Sequence, residues 1–346
     1  MLLRHQSNQP ETMNASRSAI TILGLLGLAS AAVIAAHVVN IPAQSHAAQI
    51  IHNGLHAPGF GIVALLTYLL LRLSFGFRTA MLAALVFASG LAFLSELAQY
   101  FGERDASLED LVADLIGIAG FLTPALLLDR NVRAYAGAAG SAVLSIVCAS
   151  ALYFSLEPIL SGASTLYQRA LHFPALATFD SDWELHVFRP LNHTPIRLQP
   201  AENGALSGAG GRIAVLEMSD VDYAGLIIDA YPDWRGYDVL TFVAATDGVD
   251  ELTITVRIHD VHHNDRWNDR FNTQLVVTRN AQRFEIPLDA VHHGAHREMD
   301  MEQLAQVIVY ARRTEPGAML ILDDFKLSVS SVVDSSPGGV RASVDR

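Results

Sequence analysis

Five stretches of about 20 apolar residues fill the first half of the chain, and a run of that length has few folded states open to it. They are roughly Ala19–Val39, Pro58–Phe75, Thr79–Tyr100, Leu111–Leu128 and Gly137–Leu156. Each is long enough, as a helix, to cross the hydrocarbon core of a bilayer. None carries a charge at its centre, and Arg72 and Glu96 fall near span ends, where long side chains reach the interface. The sequence therefore predicts a short N-terminus over 1–18 and an α-helical membrane domain of about five transmembrane helices over 19–157. The first span is read as an uncleaved helix rather than a signal peptide, because its core is long and four more spans follow.

Arginine placement gives the direction. Arg4 and Arg17 precede the first span, Arg72 and Arg78 lie between the second and third, and Arg130 and Arg133 between the fourth and fifth. The loop 40–57 has no Lys or Arg, and Arg104 is surrounded by Glu103, Asp105, Glu109 and Asp110. Basic residues stay on the cytoplasmic side. The N-terminus is thus expected in the cytoplasm, and everything after the fifth span on the exported side. The single cysteine, Cys148, allows no disulfide within the chain. An exported domain without disulfides points to a bacterial inner membrane. The net charge is −1 up to Thr178 and −11 after it. So acidic an exported half repels phosphate backbones and excludes nucleic acid as a partner.

After a connector of mixed character over 158–178, the pattern changes period. In Glu251–His259, Leu252, Ile254, Val256 and Ile258 alternate with Thr253, Thr255, Arg257 and His259, as in a half-buried strand. Further strands are predicted at Trp183–Phe188, Arg212–Met218, Gly225–Ala230, Val239–Ala244, Phe271–Val277, Arg283–Ile286, Gln306–Tyr310 and Met319–Leu327. A short helix or turn is expected near Met301–Ala305. Turn signals such as Asp247-Gly248 separate the strands. The fold class is an all-β sandwich of jelly-roll type over 179–329, followed by a disordered tail over 330–346.

The residues that draw functional attention cluster at the span ends. Glu96 and Gln99 share a helix face, as do Asp110 and Asp114, with Arg104 in the short loop between those helices. Three readings stay open, led by the first. They are a structural ion-pair clamp at a hydrated membrane boundary, a site for the phosphate or sugar of a lipid-linked head group, and acid–base work by paired carboxylates. His56 is expected to hydrogen-bond with this cluster. His46, His52 and His56 form only a weak metal set, with no carboxylate near in sequence. His259, His262, His263, Asp265 and Asp269 read as a solvated loop, as do His292, His293 and His296. Trp234 and Tyr237 are expected to pack in the core, and Trp267, among Asn, Asp and Arg, to be exposed.

Two resemblances extend this. His56 with Phe60, Arg78, Glu96-x-x-Gln99, Arg104, Ser107, Asp110 and Gly117-x-x-Gly120 make residues 50–125 resemble the VanZ-like membrane family, named for a teicoplanin-resistance determinant. That family usually carries Asn where this chain has Asp114. The resemblance implies an envelope location and no defined reaction. Trp234-x-x-Tyr237-x-x-Leu240-x-Phe242, Asp269-Arg270-Phe271-Asn272 and Leu322-Asp323-Asp324-Phe325 make 179–329 resemble the galactose-binding-like jelly rolls of carbohydrate-binding modules. This implies a sugar site, for which Arg257, His259 and Trp267 are the candidates. It also implies a possible structural calcium at Asp180, Asp182, Asp323 and Asp324. No other cofactor is expected. The expected function is an envelope accessory that binds or processes polysaccharide or lipid-linked glycan. The alternatives are a membrane enzyme acting through Glu96, Arg104 and Asp110, and a scaffold for a protein partner.

Overall fold

The computed structural model describes residues 20–21, 23–28, 30–31, 46–100, 108–201, 211–218, 222–294, 296–312, 314–315, 317–330 and 340–341. The chain divides into a helical unit, chiefly Ile50–Ser161, and a second unit made of Ala43–Gln49 and Gly162–Arg346.

The helices are α1 (His46–Gly54), α2 (His56–Arg72), α3 (Phe77–Tyr100), α4 (Leu108–Leu128) and α5 (Arg130–His172), the last interrupted at Gly137, whose φ is +67°. Among the described residues, four segments, His46–Arg72, Phe77–Ala98, Leu108–Leu128 and Arg130–His172, are long and apolar enough to cross a membrane. Most of the first expected span lies outside the described residues. Within the loop expected over 40–57, helix α1 occupies His46–Gly54, and residues 40–45 lie outside the described residues. The connector expected over 158–178 is helical to His172, since α5 continues past Pro158.

Each of α2, α3 and α4 buries one stripe at helical spacing. On α2 it is His56, Phe60, Ala64 and Tyr68, and on α3 it is Ala80, Ala84, Ala88, Ala92 and Glu96. On α4 it is Asp114, Ile118 and Leu122. The other face of α3 exposes Leu82, Val86, Phe93 and Leu94, the composition of a lipid-facing surface. Helices α2 and α4 touch backbone to backbone. A Cβ added at Gly117 would lie 1.9 Å from the carbonyl oxygen of Ala57, so only glycine fits there.

The sandwich has two sheets. One has the order β12–β9–β6–β11–β4–β3, with β1 also pairing β11, and the other β2–β5–β10–β7–β8. The strands are β1 (Ala175–Ala177), β2 (Phe188–Leu191), β3 (Ile196–Pro200), β4 (Arg212–Glu217), β5 (Ala224–Asp229), β6 (Val239–Asp247), β7 (Glu251–Asp260), β8 (Phe271–Thr278), β9 (Gln282–Pro287), β10 (Leu304–Ala311), β11 (Met319–Ser328) and β12 (Val340–Arg341). All pairs are antiparallel except β12–β9. A short helix, α6 (Leu288–His293), follows β9. Apart from β12, the expected tail lies outside the described residues from 331 on.

Alternation sends Leu252, Ile254, Val256 and Ile258 of β7 inward, against Phe242, Phe284, Leu322 and Phe325 of the facing sheet. Phe242 stacks on Phe325 with centroids 4.8 Å apart, and Trp234 is fully buried, as expected. One expected strand is wrong: Trp183–Phe188 opens instead as a 3₁₀ turn, Asp182–His186. The Glu184 carboxylate accepts the backbone N–H of Ser181 at 2.9 Å and of Thr178 at 2.6 Å. That Ser-x-x-Glu pattern closes the segment on itself before β2 can begin.

Candidate functional sites

The helical site grows from the three stripes. His56 stands at the start of α2, Glu96 near the end of α3 and Asp114 early in α4. The three residues meet at one end of the bundle. Their ligand atoms lie within 4.8 Å of one another. Among the described residues this is the one group of three or more His, Cys, Asp or Glu so arranged. His56 is 3 % exposed, Glu96 7 % and Asp114 0 %. These three polar groups are enclosed by protein. The close approach of Gly117 to Ala57 brings α4 onto α2 and closes the space around Asp114.

The rest of the expected cluster divides. Arg78 does not belong to it: it is exposed at the opposite end of α3, about 27 Å from Glu96 along the helix axis. Asp110 is half-buried one turn before Asp114. Arg104 and Ser107, and the side chain of Gln99, lie outside the described residues. Of the outer-loop histidines, His56 joins the group and His52 sets its ring edge-on to it at 6.3 Å. His46 donates its backbone N–H to Asp229.

The second site is on the outer face of the five-stranded sheet. Residues opposite in parity to the core line up across it, with Ile308 of β10 facing Arg257 of β7, and Tyr310 facing Thr255. Arg257, Ile308 and Tyr310 line a groove of about 280 Å³ together with Asn192, Tyr223, Trp267 and Arg270. Trp267 is 62 % exposed, and the Arg270 guanidinium sits 4.9 Å over its ring. The Tyr223 and Tyr310 rings meet edge-on at 5.4 Å. Tyr223 holds a left-handed backbone with φ +65°, an uncommon and strained state for a bulky residue.

Arg257 is positioned from behind. The Asp269 carbonyl lies 2.8 Å from His263 Nδ1, which therefore donates, leaving Nε2 to accept from Arg257 at 2.8 Å. Burial, then Arg270, hold the Arg257 guanidinium below its usual pKa. The Nε atoms of both Arg257 and Arg270 are buried without a hydrogen-bond partner among the described residues. His259 does not reach the groove as a free polar group. It is 8 % exposed, and burial, with Arg257 and His263 beside it, pushes its pKa down to about 3.

The loop after β7 is solvated in part, as expected: His262 and Asp265 are exposed, while His263 and Asp269 are held inside. Asp260 accepts two bonds of 2.6 Å from Arg297, whose Nε reaches Asp269 at 2.6 Å. Burial raises the Asp260 pKa, but Arg297 and the Asp300 N–H outweigh it, so the carboxyl stays below its usual range. Arg297 is distant in sequence, which hid the pairing. His293 and His296 are exposed as expected. A larger cavity of about 810 Å³ lies beside Arg235, Tyr237, His292 and Arg297, but both arginines there are already paired with carboxylates.

The four aspartates proposed for calcium have other partners. Asp180 accepts the Arg212 N–H at 2.7 Å, Asp182 pairs with the Arg212 guanidinium at 2.8 Å, and Asp324 pairs with Lys326 at 2.8 Å. Asp323 keeps Oδ2 buried and unpartnered among the described residues. Burial, with Asp180, Asp324 and Glu184 nearby, raises its pKa to about 7.

Sequence reasoning found Arg257 and Trp267 but missed Asn192, Tyr223, Arg270 and Tyr310. The parity of β10 sets Tyr310 on the face opposite Val307 and Val309, although its ring is itself buried, and Arg270 adjoins a run already singled out. Nothing local marks Asn192 or Tyr223, which only the folded sheet brings there.

No family model and no curated protein matches the chain. Solved structures do. One is an exo-beta-agarase, at 14 % identity over 46 % of this chain and 25 % of that one, with TM-score 0.37. Another is a family 11 carbohydrate-binding module from Clostridium thermocellum in complex with a beta-1,3-1,4-mixed-linked tetrasaccharide, at 12 % identity over 41 % and 88 %, with TM-score 0.31. A third is the CBM22-1 xylan-binding domain from Paenibacillus barcinonensis Xyn10C, at 12 % identity over 45 % and 96 %, with TM-score 0.31. This chain spans about a quarter of the agarase's length. Overlap this partial assigns no ligand, and the two-sheet sandwich stands on its own strand pairing.

Proposed function

We propose that the chain is a bacterial cytoplasmic-membrane protein whose exported sandwich binds glycan in the Trp267 groove. The observation that carries this reading is the groove itself. An exposed indole, two further aromatic rings and two arginines share one outer sheet face. Flat rings stack on the apolar faces of sugars, and planar donors bond hydroxyls and carboxylates. Arg257 meets an imidazole and Arg270 an indole ring, and among the described residues neither pairs with a carboxylate. That favours a sugar bearing an acidic group, such as a uronate.

The test uses the full chain in nanodiscs on arrays of neutral and acidic polysaccharides. Binding that Trp267→Ala abolishes supports the reading, and no binding above background to any glycan overturns it. The exported orientation, with a cytoplasmic N-terminus, rests on the arginine pattern and belongs to the same proposal. A C-terminal alkaline phosphatase fusion checks it, since an inactive fusion beside an active cytoplasmic reporter reverses the topology. The VanZ-like relationship stays part of this proposal, resting on the residues quoted for it. The rival reading is a membrane enzyme acting on a lipid-linked head group. Its best support is the buried His56, Glu96 and Asp114 group, not the Glu96, Arg104 and Asp110 set expected from sequence.

A further inference from the structure

We propose that His56, Glu96 and Asp114 bind a zinc-class divalent metal ion where the ends of α2, α3 and α4 meet. Three independent helices each turn their buried stripe so that it ends on a ligating residue, and the ligand atoms converge to within 4.8 Å. The convergence alone is geometry. The second observation is Asp114, which is 0 % exposed and has neither carboxylate oxygen hydrogen-bonded among the described residues. A buried carboxylate without a partner is costly. Among the described residues, no Lys or Arg lies on the buried faces of these three helices. The only Lys in the chain is Lys326, and Arg72 and Arg78 are exposed at the other end of α2 and α3.

The donor set names the ion. Two carboxylates and a divalent cation sum to no net charge, the cheapest state for an enclosed site among apolar helices. One imidazole nitrogen with two carboxylate oxygens suits zinc and its neighbours. Calcium takes six to eight oxygens, and magnesium requires near-octahedral oxygen coordination with several waters. Neither demand is met by three enclosed side chains of which one is imidazole. Three protein ligands leave a position on zinc for water or an oxygen of a bound molecule, as in sites that react rather than merely brace. The close packing at Gly117 fixes the spacing between the α2 and α4 ligands, so the site is preformed.

The test uses the full chain purified in detergent with a tag that contains no histidine. Metal content is measured before chelation and after re-equilibration with Zn²⁺. About one zinc per chain is expected, removed by chelator and restored by zinc, with Co²⁺ giving the visible absorption of a low-symmetry nitrogen–oxygen site. Asp114→Asn and His56→Gln should each weaken zinc binding by more than about tenfold, the scale of losing even an outer hydrogen-bond partner. Glu109→Gln, at an exposed carboxylate on the same helix, should leave it unchanged, and so separates this site from adventitious zinc on the sandwich histidines. Should a variant fail to fold, the wild-type zinc-dependent melting shift and the cobalt spectrum decide alone. Less than about a tenth of an equivalent of zinc in folded wild type, with no melting shift, overturns the proposal. So does zinc binding that survives Asp114→Asn.

Discussion

The two halves of this protein treat buried carboxylates in opposite ways. In the sandwich, Asp260 is almost wholly buried, yet it meets a bidentate arginine and a backbone N–H, and the same Arg297 reaches Asp269. In the helical unit, Asp114 is at least as buried, and among the described residues its two oxygens have no hydrogen-bond partner and lie near another carboxylate and an imidazole. The first arrangement is complete within the chain and holds loops together. The second, on our proposal, is completed by a bound metal ion. Burial by itself therefore says little about function, and the missing counter-charge says more.

The largest expected effect breaks the complete network. Arg297→Met leaves two carboxylates with little compensation and should cost the sandwich roughly 3 kcal/mol. The chain supplies its own reporter. All three tryptophans, Trp183, Trp234 and Trp267, lie in the sandwich, so tryptophan fluorescence follows that unit. A loss below about 1 kcal/mol would mean that Arg297 decorates the loop rather than braces it.

The next effect completes the incomplete site. At one hundred times its dissociation constant, zinc should stabilise the helical unit by about 2.7 kcal/mol. The sole cysteine, Cys148, is buried in α5, so the onset of its labelling by a thiol-reactive dye on heating reports that unit. In chelator, Asp114→Asn should stay within about 1 kcal/mol of wild type, since it replaces a carboxylate with no hydrogen-bond partner among the described residues. That contrast with Arg297→Met is the sharpest form of the comparison.

The sequence made some of this plain and hid the rest for physical reasons. Apolar length exposed the membrane-competent helices, and period-two alternation exposed β7, because both patterns are local. The helical stripes were legible too, since Ala80, Ala84, Ala88, Ala92 and Glu96 repeat every four residues. What spacing could not say was that Glu96 and Asp114 are enclosed, because enclosure depends on Gly117 meeting Ala57 some 60 residues away. The Arg297 network was hidden likewise, as its members are 37 and 28 residues apart. Strand β3, with its partly exposed pattern, had no alternation strong enough to read.

A smaller effect tests the comparison within the sandwich, through pH. Asp323 has a folded pKa of about 7, above the usual 3.9 or so of an unfolded chain. The folded state then holds the extra proton between those values. Its burial costs stability in full above pH 7, and the cost fades as pH falls toward 4. His259 runs the other way. Its folded pKa of about 3 lies below the unfolded value near 6.5, so acid removes stability between those limits, and neutral pH leaves it intact. Asp323→Asn should therefore raise sandwich stability at pH 8 by on the order of 1–2 kcal/mol, and by much less at pH 5. Calcium offers another way to relieve Asp323. A calcium-induced rise in the melting temperature that Asp323→Asn abolishes would support that site, and no rise would retire it.

The smallest expected change in stability carries the largest functional consequence. Trp267 is mostly exposed, and its ring touches Arg270 rather than the core, so Trp267→Ala should move sandwich stability by no more than about 0.5 kcal/mol. An exposed indole costs a protein solubility and returns nothing to the fold. If the groove binds glycan, the same substitution removes its stacking platform, and retention on acidic polysaccharide in affinity electrophoresis should fall to background. Arg257→Gln, which keeps a donor but loses the charge, should weaken acidic glycans while sparing neutral ones. Equal loss for both classes would show that Arg257 orients the groove instead of reading a charge, and the acidic-sugar part of the proposal would fall while the stacking part stood.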